Sequence, residues 1–174
     1  MNWTQLLVSE IEINYSTTDG LMAKVPEDAL SWKPPGGDNW MTTGQLLHHL
    51  SNACGAACQA FLTGDWGLSP GKTFDGLTDS ERLPPAASLP SAASVAEARR
   101  LLADDKELVL KMIGMAGDHD LSTRTLASPW KPSDVHPLGY HFLRMVRHLD
   151  RHKSQLFYYL KLQGVPVSTP DLWG

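Results

Sequence analysis

The segment 138–163, LGYHFLRMVRHLDRHKSQLFYYLKLQ, determines the fold that we expect for this chain. Its apolar residues, among them Met145, Leu149 and Leu156, recur at the spacing of one face of an α-helix. A glycine at 164 and a proline at 166 follow the segment and are typical of a helix end. The sequence therefore predicts one long amphipathic helix from about residue 138 to residue 163.

Two histidines, His148 and His152, lie four positions apart in this predicted helix. Residues at i and i+4 share a helical face with Cβ atoms roughly 6 Å apart, so both imidazoles can reach one metal ion. His141 and Gln155 fall within about 20° of His148 on the helical wheel and extend the same narrow stripe. Solvated helices also carry histidines at this spacing, so the metal interpretation depends on the rest of the chain.

A third ligand is predicted on a second helix, over residues 41–63, which contains His48 and His49. Consecutive helical residues point about 100° apart, so only one of these two imidazoles can enter a shared site. The apolar stripe of this helix lies about 100° from His49 and about 160° from His48. His49 therefore borders the predicted core, as His148 does. Either a shared metal site or ordinary histidines at the edge of the core fits this periodicity.

The last helix also carries several arginines beside the histidine stripe. Arg144 and Arg151 lie about −40° and −60° from His148, where they could hold an anionic substrate near the site. Arg147 is more typical of a solvated face. We predict that Arg144 and Gln155 support the metal ligands or contact a substrate, and the alternative is that both are solvated polar residues.

Composition limits the classes of function that this chain can have. The chain has 174 residues, 42% of them hydrophobic, which is typical of one globular domain over residues 1–174. A net charge of −4 gives no general attraction for nucleic acid or an acidic membrane surface. The N-terminal residues lack the pattern of a secretory signal, so a cytoplasmic location is the default expectation.

Residues 39–64 contain no Asp, Glu, Lys or Arg, yet they are too rich in His, Asn, Gln, Thr and Ser for a membrane span. An uncharged helix of small residues is better explained by packing on more than one side. We therefore expect a homodimer that uses this helix. Its two cysteines, Cys54 and Cys58, have Cβ atoms about 6 Å apart in a helix, against roughly 3.8 Å in a disulfide, and are expected to be buried thiols.

Two further helices complete the predicted architecture. The first runs from an N-cap at Asn2 to about Lys24, and the third follows the capping box Ser94–Glu97 and ends near Met115. Long connections rich in Pro and Gly cover residues 64–93 and 117–137, and we identify no alternating strand pattern. Four long helices with long connections predict an all-α, up-down four-helix bundle.

Several motifs of this chain occur in an order that is known from one family. Residues 30–34 (LSWKP) are followed by residues 40–50 (WMTTGQLLHHL), and far downstream by residues 148–156 (HLDRHKSQL) and 164–167 (GVPV). This order and spacing resemble the DinB/YfiT-like family of bacterial metal-binding four-helix bundles. Members show G-E-L-L-x-H on the second helix and H-x-x-x-H-R-G-Q-L on the last. Lys153 and Ser154 replace the usual Arg-Gly here, which leaves the ligand positions unchanged.

The resemblance implies a ligand set and a range of activities. Position by position, the family's three metal ligands match His49, His148 and His152, and the family commonly binds one divalent ion, often zinc or nickel. Members are commonly dimeric, and some are transferases or an isomerase that use low-molecular-weight thiols such as bacillithiol or mycothiol with a small-molecule substrate. The resemblance thus favours a thiol-dependent transferase or isomerase. A metal-dependent hydrolase and a non-catalytic metal- or ligand-binding module remain open as alternatives.

Overall fold

The computed structural model describes residues 2–174, and the chain is predominantly helical, as predicted. The helices are α1 (Trp3–Met22), α2 (Thr43–Leu50), α3 (Gly55–Thr63), α4 (Asp79–Arg82), α5 (Val95–Thr123), α6 (Leu138–Leu162) and α7 (Thr169–Trp173). The strands β1 (Thr125–Ser128) and β2 (Lys131–Pro137) form an antiparallel pair. Short 3-10 turns cover Glu27–Ala29, Phe74–Gly76 and Ala86–Ser88.

The helix starts follow from capping side chains in the sequence. The Asn2 side chain accepts a hydrogen bond from Gln5 N, and the Ser94 hydroxyl accepts one from Glu97 N. At the start of α2 the Thr42 hydroxyl caps Gln45 N, while the Gln45 side chain accepts from Thr42 N. These bonds satisfy backbone donors that have no partner within the first turn of a helix.

One hydrophobic core lies between the long helices. Helix α1 packs against α5 and α6, and both α2 and α3 pack against the same two helices. The apolar residues that recur at helical spacing in the sequence are the ones that become buried, which is the expected consequence of amphipathic helices that share one core. Fully buried examples are Leu7, Ile11, Leu46, Leu50, Val109, Phe142, Leu149 and Leu156.

The prediction of one continuous helix over residues 41–63 was wrong, because the helix is interrupted between Leu50 and Gly55. The physical reason is a buried carboxylate on α5. Asp105 accepts hydrogen bonds from Cys54 N at 3.2 Å and from Gly55 N at 2.8 Å, and thereby caps the new helix α3. Gly55 is required at this contact, since a Cβ there would lie 2.6 Å from Asp105 Oδ1.

The prediction that residues 117–137 form a loop without strands was also wrong. Helix α5 continues past the predicted end at Met115 to Thr123, with a local break at Gly117, whose φ of 65° is accessible to glycine. The hairpin β1–β2 follows, with Leu126 opposite His136. Its strands are short and one of them contains two prolines, so the sequence carries no regular alternation that would predict it.

The structure also bears on the predicted span of the last long helix and on the state of the two cysteines. Helix α6 covers Leu138–Leu162, which matches the predicted span to within a residue, whereas the short C-terminal helix α7 was not predicted. Cys54 and Cys58 are buried free thiols, as expected, and burial raises the pKa of both. Within residues 2–174, no helix combines the length and the apolar character that a bilayer crossing requires.

Candidate metal centre

Helices α2 and α6 bring the three predicted ligands together. His49 lies in the last turn of α2, and His148 and His152 lie four residues apart on α6, so packing of the two helices places the three imidazoles side by side. One nitrogen of each ring lies within 4.8 Å of the others. The His49 ring centroid is 5.0 Å from that of His148 and 4.3 Å from that of His152. All three side chains are half-buried.

A main-chain carbonyl orients His148. The Nδ1 atom of His148 lies 3.3 Å from the carbonyl oxygen of Ala53, which belongs to the interruption between α2 and α3. A carbonyl oxygen only accepts, so Nδ1 carries the proton in the neutral ring. The Nε2 lone pair of His148 is consequently directed toward the other two histidines.

A chain of side-chain hydrogen bonds orients His152. The Tyr159 hydroxyl donates to the carbonyl oxygen of Met41 at 3.0 Å and therefore accepts from Gln155 Nε2 at 3.2 Å. Gln155 Oε1 is then free to accept from His152 Nδ1, at 2.9 Å. This assignment leaves the Nε2 atom of His152 as an unprotonated donor for a metal. Partners of this kind fix the tautomer and the ring orientation of metal-binding histidines.

The electrostatic environment keeps the imidazoles neutral. Burial, reinforced by the neighbouring His152 and His148, lowers the pKa of His49 from the usual 6.5 to about 4. Burial is also the largest cause that lowers the pKa of His148 and of His152. Neutral imidazoles are the form that binds metal, because a protonated ring has no lone pair to offer.

The spacing of the nitrogens fits a divalent ion. The Nε2 atoms of His49 and His148 are 3.1 Å apart. Ligand nitrogens about 2.0–2.1 Å from a tetrahedral zinc ion lie roughly 3.3 Å from one another, so this pair needs only a small adjustment to bind one ion. The three residues therefore provide a donor set of the kind that zinc, nickel, cobalt or iron accepts.

Two further histidines in the same helices are not part of this cluster. His48 lies next to His49 but contributes no nitrogen to the three-histidine group. His141 is fully buried and stacks on Phe61 with ring centroids 4.5 Å apart. Its Nε2 donates to the carbonyl oxygen of Leu126 at 2.8 Å, so this histidine attaches the hairpin to α6.

The structure places the two supporting residues predicted from the sequence in different surroundings. Gln155 contacts His152 directly. Arg144 instead binds Asp134 and the Ser128 hydroxyl, which both belong to the hairpin. The Arg144 guanidinium holds the pKa of Asp134 at about 2.

Sequence reasoning missed the groups that orient the imidazoles from other elements. The carbonyl of Ala53 carries no signal in the sequence, because any residue has one. Asp105, which holds the interruption beside Ala53, is also undetectable from helical periodicity. Tyr159 was detectable, since it falls within about 20° of His148 on the helical wheel.

These features define a helical protein with a half-buried three-histidine candidate metal site. The sequence profile of the DinB superfamily matches residues 10–156, and the chain belongs to this superfamily. Its fold is similar to that of a DinB-like protein, YjoA, from Bacillus subtilis, with a TM-score of 0.63 and 15% sequence identity. That similarity covers 93% of this chain and 96% of the other. No curated protein matches the chain at a significant level.

Proposed function

We propose that this protein is a divalent-metal-dependent enzyme that uses His49, His148 and His152 as ligands and a low-molecular-weight thiol as co-substrate. Zinc or nickel is the proposed ion. The observation that carries the proposal is the convergence of three neutral imidazoles whose ligand atoms lie within 4.8 Å of one another. The thiol is supported by the resemblance of the motifs to those of thiol-dependent transferases and isomerases.

The ligand set supports catalysis better than a purely structural role. Three protein ligands leave a coordination position for an outside molecule, whereas structural zinc sites have four protein ligands. A divalent ion held by these three histidines would lower the pKa of a coordinated thiol or water and so would supply a nucleophile at neutral pH. The three histidines are half-buried, so part of each side chain remains in contact with solvent.

The protein's own residues would hold the centre rigid during the reaction. The Ala53 carbonyl and Gln155 keep the Nδ1 protons of His148 and His152 directed away from the centre. Tyr159 fixes Gln155, and it is itself packed edge-on against Trp32 with ring centroids 5.3 Å apart. Residues whose rotamers are fixed in this way keep the ligand geometry constant as substrates bind and leave.

The proposed architecture behind this centre is an up-down four-helix bundle. Helices α1, α5 and α6 are three of its members, and α2 and α3 together take the place of the fourth. The interruption between α2 and α3 is then an adaptation of one bundle helix. It places a carbonyl oxygen, which a regular helix would use internally, beside His148.

A second candidate function is a non-catalytic module that binds a metal or another ligand. Within residues 2–174, the cluster of possible metal ligands contains three histidines and no carboxylate that could act as an acid or base. This composition favours a binding module. The nearby carboxylate Asp150 pairs with Lys153 at 2.9 Å, so it is engaged elsewhere rather than acting as a general base at the centre. A hydrolase would require the same ligands and a metal-bound water.

The proposal is tested by metal analysis followed by an activity screen. Purified wild type, His49→Ala and His48→Ala are reconstituted with zinc or nickel and assayed with several low-molecular-weight thiols and a generic electrophile. Metal-dependent turnover in the wild type and in His48→Ala, but not in His49→Ala, supports the enzyme. Full metal loading without turnover of any thiol or ester would instead favour the binding module. Equal, near-zero metal in all three proteins would refute the site.

A further inference from the structure

A cavity of about 290 Å³ lies where the hairpin meets α6. Helix α6 contributes Tyr140, Arg144, Arg147 and Arg151, and β2 contributes Lys131 and Asp134. We call these six residues the basic pocket. Four of them are cationic and one is anionic, in a protein whose net charge is −4. Lys131, Arg147 and Arg151 are exposed to solvent, and an anion bound between them would reduce the repulsion among their positive charges.

The single carboxylate of the basic pocket is already engaged. Asp134 binds Arg144, and its other oxygen lies 3.0 Å from His136 Nε2. Within residues 2–174, no carboxylate forms an ion pair with Lys131, Arg147 or Arg151. Three cations therefore face the cavity without an internal counter-charge, while Asp134 holds the fourth in a fixed position.

The basic pocket adjoins the three histidines along α6. Arg144 and His148 are four residues apart, and His148 and Arg151 are three apart, so these side chains are neighbours on the helix surface. The basic pocket and the histidines therefore lie on adjoining strips of the same helix.

We propose that the basic pocket binds an oxyanion, a carboxylate or phosphate group, on a small substrate whose reactive end lies at the three-histidine centre. This inference rests on the proposed function for the role of the bound molecule, but not for the binding itself. The planar guanidinium groups of Arg147 and Arg151 suit bidentate recognition of such groups. Lys131 adds a compact positive charge from strand β2.

The experiment is a calorimetric titration of the full-length protein with inorganic phosphate and, separately, with succinate. It is run on zinc-loaded and metal-free wild type, on Arg147→Gln and on Arg151→Gln. The matched control is Arg100→Gln, which removes an equivalent charge from the exposed face of α5, where Arg100 pairs with Asp104 at 2.7 Å. Zinc content and circular dichroism are recorded for each variant, so that a loss of metal or fold is recognised.

We expect saturable binding of at least one probe to the wild type, weakened at least tenfold in both pocket variants and unchanged in Arg100→Gln. The probe that binds more tightly distinguishes a carboxylate from a phosphate site. No saturable binding of either probe to the wild type would overturn the proposal. Equal affinity in the wild type and both pocket variants would do so as well.

The outcomes for the pocket and for the proposed function remain distinguishable. Anion binding without metal-dependent turnover would support the basic pocket as an anion site and contradict the proposed enzymatic activity. Metal-dependent turnover of uncharged substrates, with no anion binding, would support the proposed enzymatic activity and refute anion binding by the basic pocket. If Arg151→Gln kept its normal zinc content but lost both anion binding and metal-dependent turnover, the basic pocket would be shown to serve the proposed reaction.

Discussion

Helix α6 and the irregular segments that pack on it depend on different kinds of interaction. Helix α6 is continuous over Leu138–Leu162, and its histidine stripe follows from local spacing alone. The segment between α2 and α3 and the hairpin β1–β2 are irregular, and a carboxylate helps to hold each of them in place. Asp105 caps α3 from α5, and Asp134 binds Arg144 on α6.

The difference shows that regular and irregular segments contribute different parts of the geometry of the site. The regular helix sets the spacing of His148 and His152, because i and i+4 positions share a face. The irregular segments supply what a regular helix lacks, namely a free carbonyl oxygen at Ala53 and a second wall for the basic pocket. Substitutions in the regular helix and in the irregular segments should therefore have different effects on metal binding and on stability.

Removal of a ligand from α6 should abolish metal binding. We expect His148→Ala to lose at least a thousandfold in zinc affinity, because two imidazoles cannot complete the donor set. The measurement is zinc content after reconstitution and dialysis, together with a competition titration against a chelator. His48→Ala is the matched control and should retain metal, since His48 contributes no nitrogen to the cluster. Equal zinc content in His148→Ala and wild type would contradict the ligand assignment.

Removal of the carboxylate that holds the interruption should destabilise the protein. Asp105→Ala leaves the Tyr15 hydroxyl and the amides of Cys54 and Gly55 without their buried acceptor. We expect a loss of about 3 kcal/mol in the free energy of unfolding, since each unsatisfied buried donor costs roughly 1–3 kcal/mol. Urea unfolding of the metal-free protein measures this quantity.

The neighbouring residue provides the control for this substitution. Asp104 is exposed and pairs with Arg100 on the surface, so Asp104→Ala should change the stability by less than about 0.5 kcal/mol. If the two alanine variants were equally stable, Asp105 would not be what holds the interruption. We further expect Asp105→Ala to bind zinc more weakly, because the Ala53 carbonyl would no longer be fixed beside His148.

Loss of the side chain that orients His152 should have a smaller effect. We expect Gln155→Ala to weaken zinc affinity about tenfold with little change in thermal stability. Substitution of a residue that hydrogen-bonds to a metal ligand typically lowers metal affinity by roughly 10–100-fold. The reference variant is Gln163→Ala, at the end of the same helix, which should bind zinc as the wild type does. Unaltered zinc affinity in Gln155→Ala would show that the His152 ring is held by packing alone.

The anchor of the hairpin should respond to acid. The pKa of Asp134 is about 2 in the folded protein, below the usual 3.8, because Arg144 binds the ionised form. The stabilisation is therefore fully present above about pH 3.8 and is lost as the pH falls toward 2. We expect the emission of Trp130, in the turn of the hairpin, to change across this window.

The same titration on Asp134→Asn isolates this effect from general acid unfolding. The variant cannot titrate at this position, so the step between pH 3.8 and 2 should be missing from its tryptophan emission. Circular dichroism recorded in parallel reports whether the helices remain folded. Superimposable emission curves for the two proteins would exclude Asp134 as the anchor.

Prediction from the sequence succeeded where the determining interactions were local. The spans of α1 and α6, and the cap at Ser94, depend on residues within a few positions of each other, so periodicity and capping patterns detected them. The burial of Cys54 and Cys58 was likewise expected, because a free cysteine is among the most frequently buried residue types. The interruption at residues 51–54 was not, because its cause, Asp105, lies about fifty positions away in the chain.

Local sequence patterns were sufficient to predict the predominantly helical class, the span of α6, and which histidines could share a face, because helical spacing is a property of neighbouring residues. The family resemblance indicated His49 as the third ligand, whereas helical spacing alone left this open, because the meeting of His49 with His148 and His152 depends on how α2 packs against α6. Only the tertiary structure decided which atoms orient the rings and that the hairpin closes a basic pocket. These features arise from hydrogen bonds and charges between distant segments, which a local pattern does not encode.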